Sequence, residues 1–211
     1  MRRVLALAGL ALGLAGCIAV RMSREAAVPS GDADPRAEEA YQLLLEQHTA
    51  EVTLLDGLNT HAVVAATLEG PAFVQARIRR TGSLRAWPED KIQLEWQREN
   101  QRLEAVTEFF VGLQTTAPAH NDLDVRTSIW QLSLRVGDGV HFPSSIRRVG
   151  RSTMDMRSFY PHMGLAWVGY RVQFPVALTP PFGATLMVSS MLGKAEFFYL
   201  ASEGGVAARS N

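Results

Sequence analysis

Three stretches in the second half of the chain alternate apolar and polar residues with a period of two, a pattern that no helix can use. In EAVTEFFVGLQT, Ala105, Thr107, Phe109, Val111 and Leu113 share one side. In SIWQLSLRV, Trp130, Leu132, Leu134 and Val136 face one way, while Gln131, Ser133 and Arg135 face the other. LAWVGYRVQFPV repeats the rhythm with Val168, Tyr170, Val172, Phe174 and Val176. Successive strand residues point to opposite faces, so segments of this kind bury one face and wet the other, as antiparallel sheets do.

Turn signals divide the rest into elements. VTLLDGL and THAVVAATLE read as a hairpin around Asp56-Gly57, and ATLMVSSML and AEFFYLA as another around Gly193-Lys194. VHFPSSIRRVG reads as a short edge strand broken by Pro143. Asp34-Pro35 opens a helix, with Asp as cap and Pro at the first position, and Ala37, Tyr41, Leu44, Leu45 and His48 form its packing stripe. His48 at its end reads as a helix-terminus or surface residue and not as a ligand. Two more helices fall at about residues 72–81 and after Trp87-Pro88, both ahead of the third strand. The expected fold is mainly β (α+β): an antiparallel β-sandwich of about seven strands with two to three added helices, a single domain over residues 35–201. Residues 202–211 are expected to be a loose tail.

The first twenty residues carry a different message. Arg2 and Arg3 precede an apolar run from Val4 to Ala15, the charge-then-core layout of a secretory leader, and the run is too short to span a bilayer. It ends at Leu14-Ala15-Gly16-Cys17, which holds the only cysteine of the chain. This tetrapeptide resembles the lipobox of bacterial lipoproteins, a branched residue and two small residues before a cysteine. The resemblance covers residues 1–17. It implies removal of residues 1–16 as a signal peptide and lipidation of Cys17, with 17–34 as a flexible tether of about 20–25 Å. Two or three acyl chains make a lasting anchor where one holds only marginally. Ile18 after the cysteine, in place of Asp, implies the outer membrane of a Gram-negative envelope, on its periplasmic face.

Charge narrows the partners. Lys and Arg number 21 against 21 Asp and Glu, and loss of Arg2 and Arg3 leaves a slight negative balance, which argues against a nucleic-acid binder. Gly-x-Ser-x-Gly, His-Glu-x-x-His and a phosphate-binding glycine loop are all absent, so motif-bearing hydrolases, zincins and P-loop enzymes are excluded. The five histidines are dispersed. A sheet could bring His61 and His141 beside Asp155, but their spacing does not call for a metal. The oxygen-rich loop AHNDLDV lacks the glycine and distant glutamate of a calcium loop and reads as a polar turn. No metal or cofactor is therefore expected.

Three groups remain as candidate contacts. Arg77 and Arg80, with Arg79 and Arg85 nearby, and Arg147, Arg148 and Arg151 could hold an anionic envelope polymer or an acidic envelope protein. Phe159, Tyr160 and His162 could form a recognition loop, or fold back on the sandwich rim. The expected function is a membrane-anchored envelope lipoprotein, a non-catalytic binding or scaffolding module. The alternative is an envelope hydrolase acting on cell wall or polysaccharide through dispersed Asp, Glu and His, recognisable by carboxylates converging in a cleft.

Overall fold

The antiparallel pattern is realised as two stacked sheets. A computed structural model describes residues 34–202 and 205–210; the leader, Cys17 and nearly all of the tether lie outside the described residues. In chain order the strands are β1 (Thr49–Asp56), β2 (Asn59–Leu68), β3 (Thr107–Thr115), β4 (Gln131–Val136), β5 (Gly139–His141), β6 (Ser145–Arg151), β7 (Val168–Phe174), β8 (Phe182–Ser190), β9 (Gly193–Ser202) and β10 (Gly205–Ser210). The helices are α1 (Pro35–His48), α2 (Pro71–Leu84), α3 (Glu89–Leu103) and the short α4 (Met154–Phe159). One sheet runs β1-β2-β3-β7-β6 and the other β10-β9-β8-β4-β5. The sandwich class and the placement of two helices before the third strand match the expectation.

Between the sheets lies a core of alternate residues from both. Val64, Phe109, Val111, Tyr170, Val172 and Phe174 from the first sheet meet Leu132, Leu134, Leu186, Val188, Phe197 and Tyr199 from the second. The Tyr199 hydroxyl donates to the Ala66 carbonyl at 2.7 Å, tying the sheets across the core.

Three details differ from the sequence reading. Residues 205–210 are not loose; they form β10, antiparallel to β9 with Val206 opposite Ala201. The pairing is a hairpin with the preceding strand, Gly205 lying opposite Ser202, and the segment has little apolar pattern of its own to announce it. VHFPSSIRRVG is two edge strands on two different sheets: β5 pairs with β4, and β6 pairs with β7. Pro143 lies at the crossing, where its missing N–H cannot serve a ladder. With these, the described residues hold ten strands in place of about seven.

The outer face of the first sheet is not wet at its centre, although its edge strand β6 is mostly exposed. Eight of the nine β3 residues are buried, because helices and the segment after α4 cover the side away from the sandwich core. Tyr41 and Leu45 of α1, Phe73 of α2, and Tyr160, Met163 and Trp167 pack there against Ala65 and Phe110. Two glycines let the rings approach the sheet. A Cβ at Gly112 would lie 2.9 Å from Trp167 Cε3, and one at Gly169 would lie 2.8 Å from Phe110 Cζ. Asp34 caps α1 by accepting from the Arg36 amide at 3.0 Å, as its sequence announces. The outlying α3 has no buried residue and docks by Ile92, whose side chain occupies the space over Gly82.

Candidate functional site

The covered face of the first sheet holds charge where strand alternation would place wetted residues. Glu69 follows β2, Glu108 lies on β3, and Arg171 and Gln173 lie on β7; all sit on the side opposite the sandwich core. Register makes Glu108 the cross-strand partner of Gln173 and sets Arg171 beside Phe110. Both glutamates are 1% exposed. Each is compensated, as burial of a carboxylate demands. Arg77 of α2 donates to Glu69 Oε2 through Nε at 3.0 Å and a terminal nitrogen at 2.9 Å. The Tyr160 hydroxyl donates to Glu69 Oε1 in a short bond. Glu108 accepts from Arg171 at 2.6 Å, from Arg102 of α3 at 2.8 Å and from Gln173 at 2.8 Å. Arg102 also meets Glu99 at 2.6 Å, so three arginines stand against three glutamates.

This balance sets the protonation states. Burial alone would raise the Glu108 pKa, but Arg171, Gln173 and Arg102 outweigh it and hold the carboxyl below its usual range. Burial pushes the Tyr160 hydroxyl well up, with the Glu69 charge adding to it, so it remains a donor. A glycosidase needs one carboxyl held protonated beside one ionised. Glu108 is instead an ionised structural anion with both oxygens bonded.

Next to this network opens a cavity of about 270 Å³, at the end of the sandwich where α1 meets the start of α2. Its walls are mostly apolar, with Leu44, Leu68, Leu103, Val106, Leu178 and Phe182 among them; Glu69 and Glu108 border it, and His48 faces it. The His48 ring is 2% exposed and stacks on Phe73 at 5.5 Å between centroids. It does end α1, as expected from sequence, but as a buried group and not a surface one.

The other candidate residues are distributed as follows. Arg77 is taken up by Glu69, and Arg80 pairs with Glu38 while donating to the Ser158 carbonyl at 3.2 Å. Arg77 and Arg80 therefore tie elements together through nearby carboxylates. Arg147, Arg148 and Arg151 are exposed on the edge strand β6. Arg148 lies 3.8 Å from Asp124 and bonds the Asn121 carbonyl at 3.2 Å. Of the two readings of Phe159, Tyr160 and His162, the rings take the folded-back one: Tyr160 is 4% exposed and stacks flat on Phe110 at 3.7 Å, Phe159 packs beside it, and the His162 Nε2 is buried. Aromatic rings that find an open face of a sheet bury there, since each removes a large apolar area from water. His61 meets Asp56 at 3.6 Å and no group of three or more metal-ligating side chains exists among the described residues. In AHNDLDV, Asn121 accepts from the Thr115 amide at 3.0 Å and Asp122 from Ser128 at 2.8 Å, which makes it the polar turn expected.

His162 supplies a pH-dependent term. Its ring lies edge-on to Trp167 and Tyr160, and burial pushes its pKa from 6.5 down to about 4. Unfolded chain takes up this proton near pH 6.5 while the native chain refuses it until about pH 4. Stability should therefore fall as pH drops between these values, by about 1.4 kcal/mol per pH unit for one proton. His48, also depressed by burial, adds in the same direction. Urea unfolding at pH 7, 6 and 5 should show the slope, and His162→Phe should flatten it. Equal slopes in wild type and variant would exclude His162 as the source.

The residues that sequence reasoning missed are Glu108, Arg102 and Arg171, whereas Glu69 was legible as a neighbour able to neutralise the first arginine group. For Glu108 and Arg171 the signal was a charge at the off-beat of an otherwise apolar strand, as in TEFFV and GYRVQF. Comparison with protein-family models, curated proteins and solved structures gives no match for this chain.

Proposed function

We propose that this chain is a lipid-anchored cell-envelope protein whose folded domain is a non-catalytic binding or scaffolding module. The observation that carries the reading is LAGC: the single cysteine lies at Cys17, behind a short basic-then-apolar leader and seventeen positions before the first described residue. The β-sandwich contains no cysteine of its own, so its packing does not need the thiol. A thiol with no disulfide partner at a leader boundary is suited to carrying acyl chains. No helix among the described residues is long and apolar enough to cross a membrane, so attachment through Cys17 would leave the domain on a tether. The placement proposed is the periplasmic face of an outer membrane. There the exposed Arg147 and Arg151 of β6 are the arginines best placed to meet an anionic envelope polymer or an acidic envelope protein.

The hydrolase reading is weaker because the buried acids beside the cavity are committed to arginines. Cys17→Ser tests the anchor. Wild type should fractionate with membranes and carry an acylated amino terminus by mass spectrometry, whereas the variant should lose both. Its melting temperature should match that of the unacylated wild-type chain, because position 17 precedes the packed domain. An intact, unacylated terminus in wild-type cells sinks the proposal.

A further inference from the structure

Among the described residues that line the cavity, one buried polar side-chain atom has no hydrogen-bond partner. His48 Nδ1 lies 2.8 Å from the Leu44 carbonyl. A carbonyl only accepts, so Nδ1 carries the proton and Nε2 keeps a lone pair. That nitrogen is buried and has no protein hydrogen-bond partner among the described residues. Buried acceptors are nearly always bonded, and the exceptions call for an explanation. Gly70 lies against the ring. A Cβ there would lie 3.6 Å from Nε2, yet the backbone at φ −72° does not require glycine.

The surroundings define what could use this acceptor. The wall is mostly aliphatic, and the neighbouring carboxylates are neutralised within their own network, so an ion entering would lose water without gaining a counter-ion. An apolar cavity of about 150 Å³ accommodates benzene. At about 270 Å³ this one has room for a two-ring compound.

We propose that the cavity binds a small, neutral, largely apolar molecule with a single hydrogen-bond donor, which it directs at Nε2 of His48. This gives the binding module proposed above a site and a ligand chemistry; it rests on that binding role but not on the anchor.

Indole and indene are suitable probes, because they match in shape and differ in the N–H. Titrated into the full chain by calorimetry, indole should bind roughly tenfold more tightly than indene, the usual effect of one buried hydrogen bond. His48→Phe, which keeps a ring against Phe73, should bring the two to parity while leaving the melting temperature unchanged or higher. Equal binding of both by wild type would show that Nε2 is not read by the ligand. Binding of neither at millimolar concentration would show that the cavity is not a ligand site. Should His48→Phe fail to fold, the His48 Nε2 resonance of wild type decides: at saturation it should move further with indole than with indene, and equal movement or none overturns the proposal. Cys17→Ser should keep the indole preference, so failure of the anchor and failure of the ligand site are read separately.

Discussion

Glu69→Ala is expected to lower the free energy of unfolding by about 3–5 kcal/mol, a large part of the 5–15 kcal/mol typical of a domain. Little of this would come from losing a favourable pair. The variant strands Arg77, whose side chain is 15% exposed, and leaves the buried Tyr160 hydroxyl without its acceptor. An uncompensated buried cation is the costly product. The triple change Glu69→Leu, Arg77→Met and Tyr160→Phe removes every polar partner together and should recover most of the loss. Urea denaturation of the three proteins (wild type, single and triple variant) separates these effects. A single-variant cost below about 1 kcal/mol would mean that water reaches Arg77, as at surface pairs.

Tyr160→Ala is the second large effect, at about 3–5 kcal/mol, the range for deleting a buried aromatic ring. Its ring lies parallel to Phe110 at 7° and leans on Phe73 at 6.4 Å, so truncation opens a cavity between α2 and the first sheet. Tyr160→Phe keeps that packing and removes only the bond to Glu69, for about 1–3 kcal/mol. Costs at Tyr160 and Glu69 share that bond, so the double variant should be less destabilised than their total suggests. Thermal unfolding measures both. Exposed-loop residues usually change stability by less than about 0.5 kcal/mol, so a neutral Tyr160→Ala would restore the recognition-loop reading of this segment.

Legibility varied with how local the governing physics is. Val168, Tyr170, Val172 and Phe174 were assigned to the sandwich core from alternation alone and lie there. Asp34 was assigned as a cap and is one. Glu108 and Arg171 could be seen only as odd charges on apolar strands, because their pairing depends on the register between β3 and β7 and on which helix covers them. Arg77 looked like part of a basic surface group for the same reason; its partner Glu69 stands eight residues earlier, beyond any single helical turn.

By itself, the amino-acid sequence determined the period of the clearest strands, the start of α1 at Asp34-Pro35, the main turns, and the position of the single cysteine at residue 17. Those properties depend on neighbours within a few residues. Only the tertiary structure decided that the central strands of the first sheet are covered on both faces and that His48 meets a cavity. Each depends on surfaces brought together from distant segments, where burial converts a solvated charge into a paired one and an ordinary imidazole into an unused acceptor.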